Sequence, residues 1–176
     1  MTEGLVICIG NDFVGDDGVG AAVYKRLKLH GVPSGVRVEY LGLGGMDLLE
    51  HLRGERILVV VDSVQLGHPP GTVHRLPWDK IPSLGSRPVS GHGIGIREAV
   101  EVAFRIYPEK VPAEIYLVGI EGHRFDQLGA EMSDEVAAAI DPAMGQVLDL
   151  LSPIFPEFRR RQVQSFSESS LTCSKQ

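Results

Sequence analysis

Two short runs, Leu5-Val-Ile-Cys-Ile9 and Ile57-Leu-Val-Val-Val61, contain no polar residue apart from one cysteine and are rich in β-branched side chains. A half-exposed strand alternates polar and apolar residues. A strand that is apolar throughout must be covered on both faces, which is the situation of central strands in a parallel sheet. Each run is followed by loop residues and then by segments of a different period. Gly18 to His30 places Val19, Val23 and Leu27 on one side and Lys25, Arg26 and Lys28 elsewhere, the pattern of an amphipathic helix. Gly95 to Tyr107 repeats it with Ile96, Ala99, Val100, Ala103 and Phe104, stopping before Pro108.

The remaining elements are fainter. Val36 to Tyr40 alternates and reads as a peripheral strand. Thr72 to Leu76 lies between Pro-Pro-Gly and Pro77 and reads as a short edge strand, and Ala113 to Val118 as a fifth strand. Gly45 to Leu52 is a short helix. Ser133 is placed to cap a last helix whose apolar positions run from Val136 to Leu151. Pro142 interrupts that pattern, so either the helix kinks there or Asp141 caps a second helix with proline at its first position. The order of elements predicts a three-layer α/β/α sandwich with a mostly parallel five-stranded sheet. Residues 1–152 form one domain on this reading, and 153–176 a polar, mobile tail.

Composition narrows the function. Hydrophobic residues make up 43% and charged residues 23% of the 176, a globular balance. A formal net charge of −6 argues against nucleic acid as the main partner. Cys8 and Cys173 are far apart and neither has a CxxC neighbour, so no disulfide framework or thiolate metal site is signalled. No stretch resembles a signal peptide or a membrane span. The expectation is a cytoplasmic monomer with no nucleic-acid or membrane partner.

In a parallel α/β fold, ligands gather beyond the carboxyl ends of the strands. Three candidate metal ligands fall there: Asp17, Asp62 and His92. Asp17 lies in the loop GNDFVGDDGVG, Gly10 to Gly20. The loop has no Gly-Lys-Ser/Thr and no GxGxxG, and its adjacent acids Asp16 and Asp17 would repel a pyrophosphate. One of the two can cap the following helix, but one cap uses one side chain. Asp62 closes the second apolar run, where a carboxylate is costly unless paired or ligating. His92 sits in Pro-Val-Ser-Gly-His-Gly-Ile, with glycines on either side that allow close approach of a ligand. His123, in Glu121-Gly-His-Arg after the fifth strand, is the rival imidazole; His30, His51 and His68 read as surface residues. Two carboxylates and an imidazole suit Zn, Ni, Co or Fe, and a metal with open positions can polarise a carbonyl or activate water. Neither a Gly-x-Ser-x-Gly elbow nor a His-Glu-x-x-His site is present.

Taken in order, Gly10-Asn11, Asp16-Asp17-Gly-Val-Gly20, Val60-Val-Asp-Ser63, Ser90-Gly-His92, Leu117-Val-Gly-Ile120 and Met132-Ser-Asp-Glu-Val136 resemble the hydrogenase maturation proteases. These endopeptidases process the large subunit of nickel-iron hydrogenases. The resemblance spans roughly residues 4 to 152. It implies that Asp17, Asp62 and His92 are both the catalytic and the metal-contacting residues. It also implies a nickel-iron hydrogenase large-subunit precursor as partner, with its C-terminal extension removed after nickel insertion. Nickel would be presented by that substrate and bound only transiently. Asp16 would then act mainly as a helix cap, worth about 1 kcal/mol. Some members carry Glu where Asp17 stands. Many have Asp-Gly-Gly after the second strand, where this chain has Tyr40-Leu-Gly42, and a proline in the loop after the fifth strand, where it has Gly119-Ile-Glu-Gly-His123. A receiver-type phosphoacceptor domain also has an acid pair and a third-strand Asp. It needs a lysine at the end of the fifth strand, and none stands there. A metal-binding chaperone without protease activity is the remaining rival. The residues leave open whether the carboxylates activate water or only hold metal.

Overall fold

A computed structural model describes residues 3–42, 44–83, 95–126 and 128–158. The two apolar runs become β1 (Gly4–Ile9) and β3 (Ile57–Val64), each buried along its whole length. They pair in parallel, from Gly4 opposite Ile57 to Cys8 opposite Val61. β2 (Val36–Leu41) flanks β1, and β5 (Glu114–Glu121) flanks β3, both in parallel. β4 (Val73–Pro77) closes the far edge antiparallel to β5, giving the order β2-β1-β3-β5-β4. Pro77 is tolerated because β4 is an edge strand. A receiver-type sheet has the order 2-1-3-4-5, so the antiparallel β4 outside β5 sets this fold apart from it.

Alternation along the strands divides the core. Val6, Cys8, Val59, Val61, Val118 and Ile120 pack beneath α1 (Val19–His30), α4 (Asp134–Ala138) and α5 (Ile140–Leu151). Leu5, Ile7, Leu58, Val60 and Leu117 pack beneath α2 (Leu48–His51) and α3 (Ile96–Ile106). This is the expected three-layer sandwich. No helix of the described residues is long and apolar enough to cross a membrane.

Three details differ from the sequence reading. β3 runs on to Val64, so Asp62 lies inside the strand, opposite Gly119 of β5. The last helix breaks at Ala139, not at Pro142. Pro142 is the third residue of α5, where a missing N–H costs nothing, and Asp141 caps no helix but pairs with Arg26 at 3.2 Å. Ile154 and Phe155, past residue 152, still pack against the core. The tail from residue 159 lies outside the described residues.

The glycines of the first loop serve packing. A Cβ on Gly20 would lie 1.9 Å from the Ile9 carbonyl oxygen, because the first turn of α1 rests directly on the end of β1. Gly20→Ala is therefore expected to push the helix off the strand and lower stability by about 2–3 kcal/mol, as overpacking does. Urea unfolding checks this, and a change below about 0.5 kcal/mol would contradict the packing described.

Candidate active site

The sheet changes direction between β1 and β3. From β1 the chain winds outward to β2, and from β3 it winds the other way to β5 and β4. Loops leaving the carboxyl ends of these two strands diverge and open a crevice between them. The β1–β3 ladder stops at Cys8 and Val61, while β3 continues past it. The next residue along β3 is Asp62, and a 3-10 turn, Gly15–Gly18, approaches from β1 carrying Asp17. Both carboxylates are nearly sealed from water, Asp17 being 6% exposed and Asp62 1%.

Ser63 joins them. Its Oγ donates to Asp17 Oδ1 at 2.8 Å, and its N–H donates to Asp62 Oδ1, also at 2.8 Å. The Asn11 N–H donates to the other Asp17 oxygen at 3.0 Å. Strand alternation turns Ser63 towards the α1 face and Asp62 towards the α2–α3 face, so one residue reaches two acids that arrive from different directions. Ser63 has no role in the sequence reading beyond membership of a motif. A hydroxyl beside a strand-end acid was the available signal, but the alternation that aims it is a tertiary fact. Tyr40, from the end of β2, donates to the Gly10 carbonyl at 2.7 Å and pins the start of the acidic loop. Burial, followed by the charges of Asp12 and Asp17, pushes its phenol above the ordinary value, so it stays protonated as a donor.

Asp16 plays a different part from the one expected. It caps neither the 3-10 turn that contains it, whose N-cap is Val14, nor α1, whose N-cap is Gly18; neither start has a side-chain cap bond. Its carboxylate, 0% exposed, accepts the N–H groups of His123, Arg124 and Ser133 and the Ser133 hydroxyl, at 2.7 to 3.0 Å. Burial would raise its pKa, but the donors at His123, Ser133 and Arg124 together outweigh it and hold the carboxyl below its ordinary value. The rival imidazole, His123, is tied into this clamp, with Nδ1 3.3 Å from Asp16 Oδ2. His92 lies outside the described residues, so among those described the centre consists of Asp17 and Asp62 with Ser63 between them.

A second buried acid braces the same end of the sheet. Glu121, 3% exposed, accepts the N–H groups of Leu66 and Gly67 at 2.8 Å and His68 at 3.2 Å, and meets His74 Nε2 at 3.1 Å. It fixes the connection from β3 to β4. Cys8 takes no part: burial pushes its thiol pKa far up and leaves it inert.

A doubly wound sheet with two buried carboxylates beside its switch point defines an α/β protein with a candidate site at the carboxyl ends of its central strands. The family model described as hydrogenase maturation protease matches residues 21–150, a span that includes Asp62 and His92 and begins just after Asp17. A hydrogenase expression/formation protein, HupD of Thiocapsa roseopersicina, is 32% identical over 162 residues, covering 91% of this chain and 72% of that protein. The hydrogenase 2 maturation protease of Escherichia coli is 29% identical over 150 residues, 84% of this chain and 89% of its own length. Among solved structures, the hydrogenase maturating endopeptidase HybD from E. coli superposes with a TM-score of 0.74 at 26% identity, over 85% of this chain and 91% of that one. The chain belongs to the hydrogenase maturation protease family, and it is an endopeptidase that processes the hydrogenase large subunit.

Proposed function

We propose that this endopeptidase removes the C-terminal extension of a nickel-iron hydrogenase large-subunit precursor once nickel has been inserted, with Asp17, Asp62 and His92 meeting the nickel that the substrate presents. The observation that carries this reading is the pair of buried carboxylates held through Ser63 at the mouth of the crevice. Two carboxylates and an imidazole are acceptable nickel donors, though weaker ones than the thiolates a soft metal site offers. Such a set suits brief contact with a metal held mainly by another protein. Nickel there would polarise the scissile carbonyl. The chain's own contribution is to orient. Ser63 and Asn11 fix Asp17, β3 fixes Asp62, and one of these carboxylates takes the proton of the attacking water. We take the reaction to run in the cytoplasm on a monomeric enzyme.

The test mixes purified enzyme with nickel-free and nickel-loaded precursor in parallel and weighs the released peptide. The loaded form is expected to be cleaved faster by about a hundredfold or more, given what a positioned Lewis acid supplies. Equal rates on both forms would remove nickel as the signal.

A further inference from the structure

The turn that carries Asp17 has a second face. Together with the start of α1 and residues 129–132 it borders an open pocket of about 460 Å³. Gly15, Gly18, Ala21, Ala22 and Met132 form its walls, and Phe13 stands at its edge. Small residues on the wall leave the room; larger ones would fill it. Phe13 is 69% exposed, and Leu128, whose backbone is bridged to Val14, is 83% exposed. Gly129 N–H donates to the Phe13 carbonyl at 2.7 Å and Gly15 N–H to that of Ala130 at 3.1 Å, so the two sides of the pocket are tied together. One apolar side chain in water is ordinary, but two beside a pocket of ligand size mark a binding surface.

The pocket and the acid pair share a wall. Asp17 lies between Gly15 and Gly18, and Asn11, whose N–H holds Asp17, precedes Asp12 of the pocket lining. The acid pair and the pocket thus lie on two sides of one short turn. Around it, Lys25 faces Asp12 at 4.0 Å and Glu131 is the other charge, so the lining tolerates neutral or basic neighbours better than acidic ones.

We propose that this pocket receives an apolar side chain of the precursor's C-terminal segment and selects the precursor by it. The proposal rests on the reading of the chain as the endopeptidase of that precursor. Steady-state cleavage of nickel-loaded precursor by wild type, by the Phe13→Ser/Leu128→Ser double variant and by Ala22→Phe tests it. Both variants are expected to raise KM about tenfold with kcat within about twofold, since the pocket binds ground state and transition state alike. The double variant changes only exposed side chains, so its fold is preserved and urea unfolding should match wild type. In a second arm, each apolar residue of the precursor's extension and of the residues just before the cut is changed to serine. One such change should raise KM on the wild type and have no further effect on Ala22→Phe. An unchanged KM in both variants, or effects that simply add, overturns the proposal. A wild-type dimer that the double variant turns into monomers gives the face to a second copy and overturns it too. If wild type fails to cut the precursor at all, the function itself falls; if wild type cuts and the variants match it, only the pocket falls.

Discussion

Asp17→Asn and Asp62→Asn are each expected to lower precursor cleavage by about a thousandfold, with the fold intact. Asn is nearly the size of Asp and keeps one acceptor oxygen, so Ser63 can still donate to either position, and what disappears is the negative charge. On the proposed reading that charge would meet nickel and take the proton of water, and where the acids are 6% and 1% exposed bulk water replaces neither role. Ser63→Ala should fall between, losing about ten- to a hundredfold, because it unties Asp17 without removing it. Single-turnover rates on nickel-loaded precursor, with urea unfolding alongside, measure all three. An Asn variant that keeps more than about a tenth of wild-type activity would show that its carboxylate is not part of the chemistry.

Asp16→Asn is expected to act on stability instead, lowering it by about 3–5 kcal/mol. Hydrogen bonds to a charged acceptor are each worth about 1.5–3 kcal/mol, and an amide keeps one acceptor oxygen while turning an NH₂ group towards N–H donors. Against a typical total of 5–15 kcal/mol, such a loss approaches global unfolding. Acid adds an independent measure. The folded carboxyl holds off its proton to a lower pH than the unfolded one. The unfolded state thus binds more protons in the window between the two values. Asp16's contribution is complete above the ordinary aspartate range and disappears as pH falls through the depressed folded value. Wild type should lose stability across that window, and Asp16→Asn should show a shallower acid limb. A loss of about 1 kcal/mol with an unaltered acid limb would return Asp16 to the role of a simple cap.

Neighbouring acids, then, do different work, and nothing local separates them. The donors to Asp16 lie 107, 108 and 117 residues away along the chain. The resemblance of this chain to its family singled out Asp17, while the cap assigned to Asp16 was the nearest local use for a second carboxylate. Asp62 was legible as a strand-end acid, but not as a residue inside β3, because the length of β3 past Val61 depends on β5 pairing with it as far as Glu121.

The sequence by itself determined which segments are central strands and which are amphipathic helices. β1, β3, α1 and α3 announce themselves because burial on two faces or on one stripe leaves a period within five to twelve residues. It also placed the acids at the carboxyl ends of strands. Only the tertiary structure decided the strand order with β4 antiparallel at the edge, the break at Ala139, the bridge through Ser63, the Asp16 clamp and the pocket behind the acidic turn. Each of these depends on where distant segments meet, and such meetings are set by crossovers and close packing, such as Gly20 on Ile9, which leave no repeating pattern in the chain.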